Sequence, residues 1–187
     1  MTTMMRIHPS AIVEDGARIG SGTLIWHGCH IRGESEIGRD CTIGFSVYVD
    51  SGVIIGDRCK VENHVSLFRG VVLDDEVFVG PQAVFSNDRH PRAVSPGWEL
   101  TPTHIRRGAS IGANATVVCG ADIGAWAMIG AGAVVTGDVV AHALMVGVPA
   151  RRRGWVCRCG HVLALHDDPL PDACGHCGRS LVAALAA

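Results

Sequence analysis

The chain has 187 residues and a formal net charge of −2, and 48% of its residues are hydrophobic. This length fits one domain with a small appendage, and the charge argues against a polyanion-binding surface, so we expect no nucleic-acid partner. No apolar run approaches the roughly 18 residues that a membrane span requires. The N-terminal residues also lack a signal-peptide pattern. We therefore expect a soluble, cytoplasmic protein with no membrane partner.

The dominant pattern is an apolar residue at every sixth position from Ile7 to Phe85. The fifth position of each six-residue repeat is small or β-branched, as at Ala11 and Thr23. A period of six matches neither a helix nor a lone amphipathic strand. It is typical of the hexapeptide repeats of a parallel β-helix, in which about 18 residues make one coil. The apolar positions are Ile7, Val13, Ile19, Ile25, Ile31, Ile37, Ile43, Val49, Ile55, Val61, Leu67, Leu73, Val79 and Phe85.

One insertion interrupts this repeat. Residues 86–104 have no periodicity and contain three Pro, two His and Trp98, and the repeat resumes from Ile105 to Val135. A long insertion in a compact repeat is usually either functional or disordered. Because a mixture of Asn, His, Arg and Trp is unfavourable for disorder, we expect a functional loop extruded from a corner of the β-helix.

The hexapeptide repeat ends near residue 150, and the composition of the chain changes there. We expect a β-helix domain over residues 6–150, a zinc-ribbon-like segment over residues 151–180, and a tail at 181–187 that is frayed or a short helix. Three cysteines of the β-helix occupy the small fifth position and are predicted to be core residues. They are Cys29, Cys41 and Cys59.

The C-terminal segment contains two close cysteine pairs, Cys157-x-Cys159 and Cys174-x-x-Cys177. Two such pairs joined by a hairpin-length segment can coordinate a zinc ion through four sulfurs. A closed four-ligand site has no open position, so we predict structural zinc. A ribbon without metal, or one in which a nearby histidine replaces a cysteine, remains the alternative.

The loop supplies the candidate catalytic residues. Acyl transfer requires an oriented nucleophile and stabilisation of an oxyanion, and a base assists when the nucleophile is protonated. Asn87 can bond either group, and His90 is the candidate base, since histidine is the side chain most often used for general acid–base catalysis. Both side chains could instead have only a packing role.

Other polar residues have weaker patterns. His27 and His30 stand close enough to suggest a metal site, but a β-helix carbonic anhydrase would need a set of converging histidines that His64 and His90 do not complete. The arginines at 106–107 and 151–153 are either solvated or contacts for a phosphorylated ligand.

Several stretches resemble left-handed β-helix acyltransferases, and more narrowly the nucleotide-linked 3-amino-sugar N-acetyltransferases of the type that acts on UDP-2-acetamido-3-amino-2,3-dideoxy-glucuronate. The period alone leaves the hand of the coil open, and the general crossover rule would favour a right-handed one. The stretches are Ile25-Trp26-His27, Val65-Ser66, residues 73–81, Phe85-Ser86-Asn87 with Pro91-Arg92, Pro102-Thr103, residues 107–116, residues 130–135, residues 147–151, and Gly154-Trp155-Val156-Cys157 with Cys159-Gly160.

The resemblance implies a homotrimer that binds acetyl-CoA between subunits and a nucleotide-linked amino sugar. The sugar amine would attack the thioester directly, Asn87 would orient the amine, and the departing CoA sulfur could take the proton. The residues implied for the sugar nucleotide are Trp26, His27, His64, Asp88 and Arg92. Those implied for acetyl-CoA are Gly112, Asn114, Ala131, Arg151 and Arg152.

Two histidines depart from the family pattern. The family usually has Asn or Tyr at the position of His90 and Asn at that of His64. His90-Pro91 is instead similar to the loop of sugar O-acetyltransferases that use a histidine base. O-acetylation of a sugar or serine hydroxyl with His90 as base is therefore the alternative reaction. A non-enzymatic β-helix scaffold is the third interpretation.

Overall fold

The computed structural model describes residues 4–94, 97–166, 168 and 171–180, and the predicted tail at 181–187 lies outside them. Within these residues the chain contains only β-strands and turns. The first strands are β1 (Arg6–Ile7), β2 (Ile12–Val13), β3 (Arg18–Ile19), β4 (Leu24–Ile25), β5 (His30–Ile31), β6 (Glu36–Ile37), β7 (Thr42–Ile43), β8 (Tyr48–Val49), β9 (Ile54–Ile55), β10 (Lys60–Val61), β11 (Ser66–Leu67), β12 (Val71–Leu73), β13 (Phe78–Val79) and β14 (Val84–Phe85). After the loop come β15 (Thr103–Ile105), β16 (Ser110–Ile111), β17 (Thr116–Val117), β18 (Asp122–Ile123), β19 (Met128–Ile129), β20 (Val134–Val135), β21 (Ala143–Val146), β22 (Arg151–Val156) and β23 (Val162–Leu165).

These strands form three sheets, one on each side of a prism. Sheet A has the order β1-β4-β7-β10-β13-β16-β19-β21-β22-β23, sheet B the order β2-β5-β8-β11-β14-β17-β20, and sheet C the order β18-β15-β12-β9-β6-β3. Each strand pairs in parallel with the strand one coil later, as Ile7 does with Ile25 and Ile31 with Val49. The predicted all-β class and the parallel β-helix of hexapeptide repeats are confirmed.

The prism edges are named by the sheets that they join. The AB edge comprises the turns 26–29, 44–47, 62–65, 80–83, 112–115 and 130–133. The BC edge comprises 14–17, 32–35, 50–53, 68–70, the loop and 118–121. The CA edge comprises 20–23, 38–41, 56–59, 74–77, 106–109 and 124–127.

Each turn needs a left-handed residue at the fourth position of its repeat. Glycine meets this need at some turns, such as Gly28 with φ of 69°. Other residues adopt it elsewhere, including His64 at 59° and Asn114 at 55°. Left-handed φ is unfavourable for residues with a Cβ atom, so the stacked neighbouring coils must hold these turns in place.

The inward positions of all three sheets form one continuous core. Ile31, Leu67 and Phe85 are fully buried, and each such side chain contributes about 1.5–3 kcal/mol of hydrophobic free energy. The three cysteines predicted to be core residues are buried, which confirms that prediction. Their thiols also donate to carbonyls of the next coil, as Cys29 Sγ does to Gly44 O at 2.9 Å.

The loop is shorter than the sequence pattern predicts. The boundary at residue 104 is wrong, because β15 begins at Thr103 and pairs with Val71 in the coil below. The Thr103 N–H donates to Gly70 O at 3.0 Å, and the Thr103 hydroxyl accepts from the N–H of Gly120 at 3.2 Å. These bonds on both sides return the chain to the prism before the apolar repeat restarts, so the extruded loop is residues 86–102.

The C-terminal segment continues sheet A. Strand β21 lies parallel to β19, and β22 and β23 then add antiparallel strands. Residues 151–156 therefore share their backbone hydrogen bonds with the β-helix, and the cysteine pairs follow directly. The predicted domain division at residue 150 stays a prediction.

We expect Gly56→Ala to destabilise the protein, because a methyl group at 56 would lie 2.6 Å from the backbone nitrogen of Asp75 in the next coil. Overpacking of this kind lowers the free energy of unfolding by about 1–3 kcal/mol. Gly137→Ala is the matched control, since nothing lies within 4 Å of its added methyl group. Thermal or denaturant unfolding measures both, and equal stability of the two variants would contradict close stacking at Gly56.

Candidate functional site

The root of the loop is fixed to the coil above it. The Ser86 N–H donates to Val117 O at 3.1 Å, and the Ser86 hydroxyl accepts from the N–H of Cys119 at 3.0 Å. Arg89 Nη1 also donates to Cys119 O at 3.3 Å. Asn87 therefore follows a residue that is hydrogen-bonded twice to the next coil. A fixed backbone suits a side chain that is predicted to orient a reactant.

The rest of the loop surrounds an open cleft of about 290 Å³. Asp88 Oδ1 accepts the N–H of His90 at 2.8 Å, so this predicted sugar-binding carboxylate helps to shape the turn. His90 is exposed, and Arg92 is exposed with its guanidinium donating to Pro91 O. The residues around the cleft are Asp88, Arg89, His90, Gly97, Trp98, Glu99 and Thr101.

Three candidates, Trp26, His27 and His64, lie on the AB edge, where the two histidines form an aromatic column with Phe45. The ring of His27 stacks on Phe45 with centroids 4.4 Å apart, and Phe45 meets His64 edge-on at 4.8 Å. Trp26 is 51% exposed beside them. Phe45 was missed in the sequence, although it stands one 18-residue coil after His27 and the repeat register could have identified it.

The candidates for acetyl-CoA lie higher on the same AB edge. Gly112 approaches the next coil so closely that a methyl group there would lie 2.5 Å from Ala131 N, so packing alone requires this glycine. Arg151 begins β22 directly after Ala150, whose N–H donates to Val134 O at 2.7 Å. Asn114, Ala131 and Arg151 thus stand along one edge of the prism. Arg152 follows on β22, with its guanidinium 4.4 Å from the ring centre of Trp155.

One chain therefore places its candidates on two different edges. Asn87, Asp88, His90 and Arg92 are on the BC edge, whereas the aromatic column and the candidates for acetyl-CoA are on the AB edge. Sheet B lies between the two edges. Within one chain the two sets of candidates are therefore on opposite sides of sheet B.

A polar cluster lies where the outer face of sheet B meets the BC edge, below the loop. Glu14 Oε1 lies 2.7 Å from His30 Nε2 and 3.0 Å from Arg32 Nε. The N–H of Gly33, together with His30 and Arg32, lowers the pKa of Glu14 to about 2. Arg32 also donates to the hydroxyl of Tyr48 at 3.3 Å. His30 is thus committed to Glu14 on a sheet face and is not directed at His27, which disfavours the metal site that those two histidines suggest.

The arginines at 106–107 pair with acidic residues on the CA edge. Arg106 Nη2 lies 2.6 Å from Asp122 Oδ2, and Arg107 Nη2 lies 2.8 Å from Glu76 Oε1. Hydrogen bonds from Arg107 and Arg58 lower the pKa of Glu76. These partly exposed pairs contribute little stability individually.

The four predicted metal ligands converge. Cys157 Sγ lies 3.7 Å from Cys177 Sγ, and Cys159 Sγ lies 3.8 Å from Cys174 Sγ. All four sulfurs are within 4.8 Å of one another, and among the described residues no other group of three or more possible ligands gathers in this way. The N–H groups of Cys177 and His176 lower the pKa of Cys174 to about 6, which favours its thiolate form, whereas burial raises the pKa of Cys157 to about 12.

Comparison with known proteins identifies the family. Residues 36–69 match the hexapeptide repeat of succinyl-transferase, and residues 102–137 match the bacterial transferase hexapeptide with six repeats. A dTDP-3-amino-3,6-dideoxy-alpha-D-galactopyranose 3-N-acetyltransferase from Aneurinibacillus thermoaerophilus is 41% identical over 169 residues, covering 90% of this chain and 88% of that relative. The chain belongs to the hexapeptide-repeat acetyltransferases. The family resemblance of the sequence motifs is confirmed.

Other proteins to which the chain is similar share less of their length with it. Serine acetyltransferase from Haemophilus influenzae is 34% identical over 111 residues, which are 58% of this chain and 35% of that enzyme. GDP-perosamine N-acetyltransferase from Caulobacter crescentus, solved with CoA and GDP-perosamine, superposes with a TM-score of 0.58 at 24% identity, over 82% of this chain and 58% of that one. The acetyltransferase domain of PglB from Neisseria gonorrhoeae, solved with acetyl coenzyme A, superposes with a TM-score of 0.53 at 23% sequence identity, over 81% of this chain and 58% of that one. These two structures support the fold.

No helix among the described residues is long and apolar enough to span a membrane.

We expect Glu14→Gln to change the acid dependence of stability. A carboxyl whose pKa falls to about 2 on folding stabilises the fold above its usual value near 4.5, and this contribution disappears as the pH falls towards 2. The stability difference between wild type and Glu14→Gln should therefore be largest near neutral pH and shrink below about pH 4.5. Denaturant unfolding at several pH values measures it, with Glu34→Gln, an exposed neighbour, as control. A difference that stays constant down to pH 2 would rule out the cluster as its source.

Proposed function

We propose that this acetyltransferase transfers an acetyl group from acetyl-CoA to the 3-amino group of a nucleotide-linked sugar, of the UDP-3-amino-uronate type, in the synthesis of a bacterial surface polysaccharide or glycoconjugate. The observation that carries the proposal is the 41% identity with a nucleotide-sugar 3-N-acetyltransferase over 90% of the chain. This match includes the loop and the AB edge. Free cysteines, four of them in one cluster, fit a reducing compartment, so we place the reaction in the cytoplasm.

The loop can orient the nucleophile. We assign Asn87 to hold the sugar amine against the thioester, because the amide follows the doubly anchored Ser86. The amine nitrogen forms a bond to the acetyl carbon, and the carbon–sulfur bond breaks as the oxyanion collapses. The amine proton goes to the CoA thiolate, so no separate base is required. Fixed orientation of this kind lowers the barrier without new covalent chemistry.

A trimer would bring the two sets of candidates together. With threefold symmetry, the BC edge of each chain can face the AB edge of its neighbour. The loop then supplies Asn87, and the neighbour supplies the aromatic column with Trp26 and His64 for the sugar nucleotide. Asn114 and Arg151 lie farther along the same edge, in the direction that an extended CoA would follow.

Hydroxyl acetylation is the second candidate, favoured by one feature of the loop. His90 is exposed and its backbone is fixed by Asp88, so its imidazole is accessible as a base for a hydroxyl nucleophile, which needs proton removal more than an amine does.

A panel of acceptors tests the proposed function. We expect release of free CoA thiol from acetyl-CoA with UDP- or dTDP-linked 3-amino sugars, and little release with 4-amino sugars, free sugars or serine. Turnover confined to a hydroxyl acceptor, and lost in His90→Gln, would replace the proposal by O-acetylation. Absence of acetyl-CoA binding in calorimetry would exclude both reactions.

We expect Asn87→Ala to lower kcat on the 3-amino sugar by about 10- to 1000-fold, because it removes a positioned polar group. Val94→Ala, at a 93% exposed position of the same loop, is the control for loop disturbance and should retain activity. Thiol detection at saturating substrate measures both variants. Full kcat in Asn87→Ala would remove this residue from the mechanism.

We also propose that the cysteine cluster holds structural zinc. Tetrahedral coordination with zinc–sulfur distances near 2.3 Å puts sulfurs about 3.8 Å apart, and the two sulfur pairs lie 3.7 and 3.8 Å apart. The N–H groups of Gly160 and Gly178 donate to Cys157 O and Cys174 O, respectively, which forms a tight turn at each pair. Bound zinc would fix the end of sheet A and leave the loop chemistry unchanged.

Metal analysis tests this site. The purified protein should contain about one zinc per chain, and Cys159→Ser with Cys177→Ser should abolish it. Cys119→Ala, a buried cysteine outside the cluster, should retain full zinc. Zinc-free wild-type protein that melts at the same temperature with and without added zinc would exclude a structural role.

A further inference from the structure

A second cleft lies on the CA edge, away from the loop and the AB edge. It encloses about 450 Å³ between the β-helix and the cysteine ribbon. The residues that line it are Glu76, Arg107, Trp126, Arg158 and Arg179. None of them belongs to the proposed acetyltransferase site, so a ligand in this cleft would bind independently of the identity of the acceptor.

The charges that line this cleft are unbalanced. Its one carboxylate, Glu76, is already shared, since it accepts from Arg107 at 2.8 Å and from Arg58 at 2.9 Å. In the described part of the chain no carboxylate forms an ion pair with Arg158 or Arg179. Two guanidinium groups thus face the cleft in excess of its acidic groups, and a cleft lined by one sign of charge concentrates ions of the opposite sign.

The arginines are also held in position before any ligand arrives. The guanidinium of Arg158 lies over the ring of Trp126, 5.1 Å from its centroid. That ring is itself fixed, because it lies against Gly108, where any larger residue would clash with it. The Arg179 carbonyl accepts from Cys174 N at 2.9 Å, and Glu76 holds Arg107. Side-chain contacts therefore hold the guanidinium groups of Arg107 and Arg158 at this cleft, and a backbone hydrogen bond fixes the chain at Arg179, whose side chain lines the same space.

We propose that this cleft binds a phosphoryl group, either of free phosphate or of a phosphorylated small molecule. Arg107, Arg158 and Arg179 would donate to its oxygens, because the planar guanidinium fork matches phosphate geometry. The volume accommodates a pyrophosphate as well as a single phosphate. The ribbon supplies two of the three arginines, which gives the C-terminal segment a binding role in addition to any structural one.

Fluorescence of Trp126 provides a local readout. In a variant with Phe at the other three tryptophans, which are Trp26, Trp98 and Trp155, emission should change saturably on titration with inorganic phosphate, pyrophosphate or UDP, because a ligand that bonds Arg158 alters its contact with the indole. Arg179→Ala should weaken this binding by about tenfold or more. Arg18→Ala, which removes the same charge from sheet C, should leave it unchanged. The order of affinity among the three probes identifies the source of the phosphoryl group.

Equilibrium dialysis of radiolabelled phosphate or pyrophosphate with the full wild-type chain gives an independent measurement if the multiple-tryptophan variant does not fold. Binding should be lost in Arg107→Ala with Arg179→Ala. Acetyltransferase kcat should be unaffected in Arg179→Ala. No saturable binding of any probe up to about 10 mM, or equal affinity in Arg179→Ala and Arg18→Ala, would overturn the proposal.

Discussion

Each coil of this molecule is held by backbone hydrogen bonds to the coil that follows it. Bonds such as His30 N to Val47 O at 3.0 Å recur along all three sheets, at the strand spacing of roughly 4.8 Å. A single coil cannot bury its own apolar residues, so stability comes from stacking. The same spacing requires glycine where turns approach closely, as at Gly56, and it supports the left-handed φ of residues such as His64.

Such a regular frame leaves function to the places where the repeat is decorated or interrupted. The stacking places equivalent turn positions above one another, so side chains distant in sequence form columns along an edge. His27 and Phe45 become neighbours in this way. The loop at 86–102 can project because the coils on both sides still pair with each other, as β14 does with β17 and β12 with β15. An edge can thus carry a loop or an aromatic column without any change in the core.

The C-terminal ribbon shows how a small appendage can gain a defined position. Strand β22 joins sheet A by antiparallel pairing with β21, which ties the ribbon to the β-helix through backbone bonds. Arg158 then reaches Trp126 on the CA edge. The ribbon therefore shares a cleft with the β-helix, and its arginines line that cleft together with residues of the main domain.

The sequence by itself determined the β-helix and its core and indicated the cysteine cluster, because a strict period of six and close cysteine pairs are local patterns that short-range geometry dictates. It also located the interruption, but it placed the return at residue 104, since the β-branched Thr103 stands ahead of the apolar register and its pairing with Val71 is a long-range contact. The tertiary structure alone decided that Asn87 and Trp26 lie on different edges of one chain and that Arg107, Arg158 and Arg179 line the same cleft. These relations depend on which turn each residue occupies around the prism and on where the ribbon folds back, and neither is encoded in the residues adjacent in sequence.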